Sequence, residues 1–326
     1  MLIDSFHRVH SYLRISLTDK CNLRCFYCMP NEDHPFVPSS HLMNADEIYS
    51  IASSFVKLGV KKIRLTGGEP LIRNDAHEII ENLTRLPAEL SLTTNGTRIH
   101  KFGDLILNSG IKSINISLDT LQRERFLKIT RRDSFNQVIS NIEWLLSLKI
   151  QVKINVVAMK GENEDEIIDF IRYTQTKPVQ VRFIEFMPFS GNNWNIQRVL
   201  TLQEILSAIN AEFLVEKLED KPNDTAKNYK VRGYQGSFAI ISTLSSPFCN
   251  TCNRIRLTAD GKIKNCLFSK SEIDLLSALR KGESLEILIH QSLKAKAYER
   301  GGQFPQDLEK IIPESIQNRS MIDIGG

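Results

Sequence analysis

No stretch of this chain approaches eighteen consecutive apolar residues, and its first thirty residues carry no basic start followed by an apolar run. The first absence excludes a membrane-spanning helix and the second a secretory leader, so cytoplasmic residence without a membrane partner is the expectation. Net charge is also scarce. Forty-two basic against 38 acidic residues leave +4, too little to argue for a nucleic-acid partner. Low-complexity segments are few, and 41% hydrophobic with 25% charged residues describe an ordered globular chain. Its 326 residues suffice for one large α/β unit with an appendage or for two domains.

Cysteine is missing everywhere except in two triplets, Cys21-x3-Cys25-x2-Cys28 and Cys249-x2-Cys252-x13-Cys266. A disulfide framework wants pairs and a reducing compartment disfavours it, so clustered thiols point to metal ligation or catalysis. A closed structural zinc site wants four ligands. His34 or His41 could complete the first triplet; for the second, histidine is absent between Trp194 and Ile289, and only His290 follows. Three thiolates on an iron cluster or metal leave one position open. The alternatives at this point are two open metal positions or two zinc sites, the second of them a small knuckle.

From about residue 11 to 187, short apolar-rich runs alternate with helical patterns, the mark of βα units and a parallel sheet. Strands are expected over 12–18, 61–66, 90–95, 112–118, 151–157 and 180–186. Asn44 with Glu47 reads as a reciprocal cap of a helix that Gly59 stops, and further helices are expected over 75–86, 100–108, 135–148 and 163–174. Successive strand residues face opposite ways. One parity is apolar (Leu13, Ile15, Leu17; Ile63, Leu65; Ile114, Ile116, Leu118; Val152, Ile154, Val156). The other is polar (Arg14, Ser16, Thr18; Arg64, Thr66; Ser91, Thr93, Asn95; Asn115, Ser117, Asp119; Lys153, Asn155). Helices cover the outer face of such a sheet, so the polar parity should face a concave interior, the alternative being a sheet with one wet face. The expected fold is α/β, an incomplete, open triosephosphate-isomerase-type barrel of about six βα units, with a C-terminal α+β region closing the cavity. Past Pro188 the rhythm stops, Thr201 with Glu204 caps a new helix, and 225–264 reads as short antiparallel strands with turns at Gly233, Gly236 and Gly261. The domains are placed at 1–195 and 196–326.

The first triplet follows the first strand on the loop at its C-terminal end, where parallel βα folds carry their active sites. Its spacing, with aromatic Tyr27 before the last cysteine, and the Gly67-Gly68-Glu69-Pro70 turn after the second strand resemble the radical S-adenosylmethionine superfamily. The resemblance implies a [4Fe-4S] cluster on Cys21, Cys25 and Cys28 whose fourth iron is chelated by S-adenosylmethionine. Paired glycines would let backbone groups approach that ligand closely, and Glu69-Pro70 can open a helix.

The second triplet, in Cys249-Asn250-Thr251-Cys252-Asn253-Arg254-Ile255-Arg256-Leu257 and Cys266, joins the run Arg182-Phe183-Ile184-Glu185-Phe186-Met187-Pro188 and the terminal Gly325-Gly326. Together they resemble the GTP 3′,8-cyclase family from about Arg14 to the last residue. That resemblance implies a second [4Fe-4S] cluster on Cys249, Cys252 and Cys266 whose open iron holds the purine of GTP. A 5′-deoxyadenosyl radical would abstract the ribose 3′ hydrogen, and cyclisation onto C8 would give 3′,8-cyclo-7,8-dihydro-GTP, the first step of molybdenum cofactor biosynthesis. Tyr27, Gly67, Gly68, Glu69, Ser117 and Met187 match cofactor-binding positions. Arg14, Arg64, Thr93, Lys153, Arg182, Arg254, Ile255 and Arg256 match nucleotide-binding positions. The cysteines of the first triplet, Arg254, Arg256, Gly325 and Gly326 match catalytic ones.

Converging cations repel unless a polyanion neutralises them, and a triphosphate meets that demand. Simple alternation puts Arg182 on the face opposite Met187, so a bulge or the end of the strand must intervene if both line one cavity. Thr93 and Thr94 compete for one role, and parity favours Thr93. The terminal glycines read as a frayed tail from sequence, whereas the resemblance implies a tail that enters the active site. Implied partners are GTP, a flavodoxin- or ferredoxin-like electron donor, a downstream cyclic pyranopterin monophosphate synthase and a second copy in a homodimer. The rival readings are a peptide-modifying enzyme of the same superfamily and a non-catalytic protein with two zinc sites.

Overall fold

The structure is a computed structural model that describes residues 1–31, 33–305 and 307–325. Strands form where the alternation places them: β1 (Tyr12–Ser16), β2 (Lys62–Thr66), β3 (Glu89–Thr94), β4 (Ser113–Ser117), β5 (Gln151–Ala158) and β6 (Gln180–Glu185). Each is parallel to the next. The crossovers are α1 (Ala45–Lys57), α2 (Ala76–Thr84), α3 (Gly103–Asn108), α4 (Arg123–Thr130), α5 (Phe135–Ser147) and α6 (Ile167–Tyr173). α1 starts as expected, with the Asn44 side chain accepting from Glu47 N at 2.8 Å and Glu47 accepting from Asn44 N at 2.8 Å. Helix α4 is an element the sequence pattern does not announce. Its four charged residues surround only Phe126 and Ile129 as fully apolar anchors, too few for a clear stripe.

The apolar parity of β1 to β6, from Leu13 and Ile15 to Val181 and Phe183, is sealed under these helices in one continuous core. Burying each such side chain contributes about 1.5–3 kcal/mol, so a one-residue slip of any strand would forfeit several of these terms at once. That penalty fixes which side chains point the other way.

The C-terminal region holds α7 (Leu202–Asn210), β7 (Val215–Lys217), β8 (Lys227–Val231), β9 (Ser237–Ile241), β10 (Arg254–Leu257), β11 (Lys262–Lys264), β12 (Ile273–Asp274), α8 (Leu275–Arg280), α9 (Leu285–Lys294) and the short α10 (Met321–Ile324). Antiparallel pairs β7/β8, β8/β9, β10/β11 and β11/β12 are present. The expectation of antiparallel strands alone is corrected by β9, which lies parallel to β6, and by β10, which lies parallel to β1. The six-stranded parallel core would otherwise leave two rows of unpaired backbone groups at its edges. The result is one open, mixed sheet in the order β12-β11-β10-β1-β2-β3-β4-β5-β6-β9-β8-β7. After β6, Trp194 donates from Nε1 to Phe186 O at 2.8 Å and pins the following loop back across the strand ends. No helix among the described residues is long and apolar enough to cross a membrane.

Candidate active site

The polar parity of the strands lines a cavity of about 550 Å³, and both cysteine triplets open onto it. Register shows how they are arranged. Cys21, Cys25 and Cys28 follow the C-terminal end of β1, whereas Cys249 and Cys252 precede β10, whose Arg254 sits beside Tyr12 at the start of β1. Cys266 follows β11, which runs back along β10 to the same end. The triplets therefore lie at opposite ends of the strands, separated by at least about 13 Å, four residue steps of extended chain.

At the first end, burial pushes the Cys21 thiol up to about 11 and the Cys28 thiol up to about 12, and Cys25 is raised as well, with Cys21 adding to the rise at both Cys25 and Cys28. Three buried thiols in mutual opposition need a bound cationic centre to ionise. Cys21 Sγ already accepts from Leu23 N at 3.4 Å and Asn95 Nδ2 at 3.7 Å, the kind of contact that tunes a thiolate-ligated cluster. Among the described residues no group of three His, Cys, Asp or Glu side chains is placed to hold a single metal ion. His34 is bound to Asp323 at 3.0 Å and His41 is exposed, so neither completes a zinc site.

Tyr27 donates to Asp119 Oδ2 at 2.6 Å, and Asp119 Oδ1 accepts from Val157 N at 2.9 Å. Burial lifts the Asp119 carboxyl to about 6. Gly67 and Gly68 line the cavity, and close packing on the chain itself requires glycine at both. A Cβ on Gly68 would lie 2.3 Å from Lys20 O, and one on Gly67, whose φ is +148°, would lie 2.5 Å from Thr18 O. The turn packs on the chain's own lead-in to the cysteine loop, with Gly68 N donating to Thr18 O at 2.6 Å and Glu69 N to Lys20 O at 2.8 Å. Glu69 itself is fully buried beneath the turn, accepting from Leu71 N, Thr94 Oγ1 and Asn95 N, and burial raises its carboxyl to about 7. Pro70 opens a single 3-10 turn and not α2. Ser117, Met187 and Thr93 also line the cavity.

Among the described residues the cavity wall carries ten cationic side chains against three carboxylates. Burial, then neighbouring cations, holds Lys153 down at about 8 and Arg182 at about 9, and Arg14 is lowered as well. Arg256 falls to about 10, chiefly through burial. Arg182 is on the polar parity, its Cα paired with Asn155, whose Oδ1 accepts from Nε at 2.9 Å. The strand ends at Glu185, so the chain leaves alternation before Met187 and both side chains reach the cavity without a bulge. Thr94, in register with Ile116, spends its hydroxyl on Glu69, while Thr93, in register with Asn115, accepts from Arg64 Nη1 at 3.3 Å. Ile255 does not join the site with its side chain. It pairs with Leu13 on the apolar parity and is fully buried in the core.

At the far end burial raises the Cys249 thiol, while for Cys252 burial is outweighed by Lys296, Arg254 and Arg8, which bring it below its ordinary value. Arg8 Nη1 donates to Cys249 O at 2.6 Å and Tyr298 O at 2.7 Å, bracing the second cysteine loop from behind. His290 lies on the exposed flank of α9 near Glu286 and supplies no fourth ligand. Four residues that line the cavity also carry a buried polar atom with no hydrogen-bond partner among the described residues: Arg254 Nη1, Arg300 Nε, Asn115 Oδ1 and Asn253 Oδ1. The tail reaches this wall: Arg256 Nη1 donates to Gly325 O at 3.2 Å, and Ile324 packs with Phe189 and Phe268. Gly326 lies outside the described residues.

Tyr12, Lys62, Lys296 and Arg300 line the cavity without having been singled out, and Asn95 and Asp119 had a place on the polar parity but no role. Parity carried the missing signal for two of them, since Tyr12 and Lys62 stand two residues before Arg14 and Arg64.

Comparison with known proteins now bears on this geometry. Residues 15–174 match the family model of the radical SAM superfamily, and residues 179–302 match that of Molybdenum Cofactor Synthesis C. The GTP 3′,8-cyclase of Lactiplantibacillus plantarum is 38% identical over all of this chain and 99% of its own length. The chain belongs to the GTP 3′,8-cyclase family. The mitochondrial GTP 3′,8-cyclase of Arabidopsis thaliana agrees, at 44% identity over all of this chain and 84% of its own length. The molybdenum cofactor biosynthesis protein 1 of Drosophila melanogaster is 45% identical over 97% of this chain, which spans only 57% of that relative and about half of several others. Among solved structures, Streptococcus suis SuiB bound to its precursor peptide SuiA shares the fold at TM-score 0.59 and 17% identity, over 83% of this chain and 65% of that one.

Proposed function

We propose that the chain is a GTP 3′,8-cyclase, converting GTP to 3′,8-cyclo-7,8-dihydro-GTP in the first step of molybdenum cofactor biosynthesis. The observation that carries this reading is the placing of two cysteine triplets at opposite ends of one cavity whose intervening wall is cationic. Cys21, Cys25 and Cys28 hold one [4Fe-4S] cluster, and Cys249, Cys252 and Cys266 hold another. When the first cluster and S-adenosylmethionine are bound, the chemistry they supply is reductive cleavage to a hydrogen-abstracting 5′-deoxyadenosyl radical.

The chain's own residues provide the rest. Gly67, Gly68 and Ser117 sit at strand ends where they cradle S-adenosylmethionine, with Tyr27 fixed by Asp119 and Met187 closing the wall. Arg14, Arg64, Lys153, Arg182 and Arg256 bind the triphosphate, Thr93 supports Arg64, and the unpartnered polar atoms of Arg254 and Asn253 face the nucleoside. Of these cations Lys153, held down at about 8, is the one whose protonation a bound polyanion completes. Gly325 orders the Arg256 side of the cavity.

In this reading the sheet is an incomplete barrel of about six βα units over residues 1–195, closed by the region 196–326. The enzyme takes electrons from a flavodoxin- or ferredoxin-like donor, hands its product to a cyclic pyranopterin monophosphate synthase, and works in the cytoplasm as a homodimer. The test is anaerobic reconstitution with iron and sulfide, then incubation with GTP, S-adenosylmethionine and a reductant. Formation of 5′-deoxyadenosine with the cyclised nucleotide is expected. 5′-Deoxyadenosine alone would reject GTP as substrate, and neither product from a chain with intact clusters would reject the whole reading.

A further inference from the structure

One side chain at the centre of the cationic wall is neither a cation nor a ligand to either cluster. Tyr12 opens β1 and points with Arg14 into the cavity. Its hydroxyl accepts a hydrogen bond from Arg64 Nε, and the Lys62 ammonium and the Arg64 guanidinium lie 5.7 and 6.0 Å from its ring centroid. Arg64 Nη1 is committed to Leu92 O at 3.1 Å and Thr93 Oγ1 at 3.3 Å. With Nε and Nη1 both engaged, Nη2 is the nitrogen a cavity anion can claim. Tyr12 thus holds one edge of the fork and leaves the other to a ligand.

We propose that Tyr12 is a positioning residue of the nucleotide site that aims Arg64 at the triphosphate, and that its ionised hydroxyl is reprotonated from water as the polyanion binds. This rests on the reading of the cavity as a nucleotide site. The groups facing Tyr12 are Arg14 on its own strand, Lys62 and Arg64 on β2, and Arg254 and Arg256 on β10. Arg182 acts from across the cavity, which Lys153 also lines. Of these, Lys62 is also held from outside by Glu89 at 2.5 Å. Burial pushes the phenol up, yet Arg64, Arg14 and Lys62 together bring it down to about 8. Above about pH 8 the wall therefore holds a phenolate as a counter-anion among its cations. A triphosphate replaces that charge, and Tyr12 takes up one proton as it binds, with no other bond formed or broken.

The experiment uses the cluster-loaded chain, anaerobically, with inorganic triphosphate as the probe because it absorbs no ultraviolet light. At about pH 8.5, triphosphate should bleach a phenolate band in the wild type and bleach nothing in Tyr12→Phe. The same variant should bind triphosphate about fivefold more weakly at neutral pH, the effect of one lost hydrogen bond. Its affinity should also fall about one proton less steeply above pH 8. Lys153 titrates in the same range, so Lys153→Met is run alongside; it should lower the slope but leave the band. Arg64→Gln gives a second route should the phenylalanine variant fail to load its clusters: the phenolate midpoint should rise toward its ordinary value of about 10. Equal bleaching in wild type and Tyr12→Phe, superimposed pH profiles, or an unmoved midpoint in Arg64→Gln would each overturn the proposal. Expected triphosphate behaviour in a chain that makes no cyclised nucleotide would sink the cyclase reading and leave Tyr12's role standing.

Discussion

Replacing Gly325 by alanine should undock the C-terminal tail without unfolding the protein. The residue sits at φ +83°, where a side chain costs about 1–2 kcal/mol. A Cβ there would lie 2.5 Å from Ser16 Cβ and 2.6 Å from Ser16 Oγ. Carbon atoms rest about 3.5–4.0 Å apart, so the tail must shift by about 1 Å or more against the wall of β1. Overpacking of this kind costs about 1–3 kcal/mol, for a combined penalty of about 2–5 kcal/mol. Against it stand two buried side chains, Ile322 and Ile324, contributing about 1.5–3 kcal/mol each, and the pairing of Arg319 with Asp260 and Glu272. The penalty is a large fraction of that docking energy, and even its lower bound shifts the docked-to-free ratio about thirtyfold.

Because α10 is a four-residue terminal turn, its release leaves the twelve-stranded sheet intact. Anaerobic turnover should fall more than about tenfold, trypsin should cut faster after Arg319, and the melting temperature should hold within about 2 °C. Adding Ser16→Gly to Gly325→Ala removes the close atoms and should restore part of the protease resistance. Full turnover and full resistance in Gly325→Ala would refute the docking account. So would a fall in melting temperature as large as that of a core deletion, because the tail would then be integral to the fold.

Cys266→Ser should lower iron from about eight to about four atoms per chain while S-adenosylmethionine cleavage persists and the cyclised nucleotide disappears; unchanged iron content would remove Cys266 from the ligand set. Arg182→Met should weaken triphosphate binding by about tenfold or more in a titration, since a hydrogen bond to a charged group is worth about 1.5–3 kcal/mol, and should leave both clusters' spectra alone. The Glu69 carboxyl, raised by burial to about 7, holds a proton in the folded chain that the unfolded chain releases near its ordinary value. Its contribution to stability is therefore complete in acid and is lost as pH rises through about 7. Denaturant melts of Glu69→Gln should show a flatter stability profile between about pH 5 and 7; an unchanged slope would point to another group.

Much of the wall was legible in the chain because strand alternation is geometric. Once Leu13, Ile15, Ile63 and Leu65 are committed to the core, Arg14 and Arg64 have only the cavity to face. Tyr12 and Lys62 obey the same rule and were overlooked because a tyrosine or a lysine at a strand's first residue also reads as ordinary surface. Arg182 and Met187 conflict under strict alternation, and only the observed end of β6 at Glu185 reconciles them. Ile255 shows the opposite error: standing between two arginines in a motif says nothing about direction, and the pairing with Leu13 turns it inward to the core.

What the amino-acid order determined alone was local: two thiol triplets on loops, βα units with their caps, and a period of two that separates an apolar from a charged face. These follow from bonds and contacts within a few residues. Tertiary structure decided the rest, because the deciding partners lie tens to hundreds of residues apart. Pairing β10 beside β1 carries the second triplet to the opposite mouth of the cavity from the first. The backbone of Thr18 to Lys20 explains why Gly67 and Gly68 cannot bear side chains. Tyr12 gains its unusual acidity only when Arg14, Lys62 and Arg64 are gathered around it from two adjacent strands.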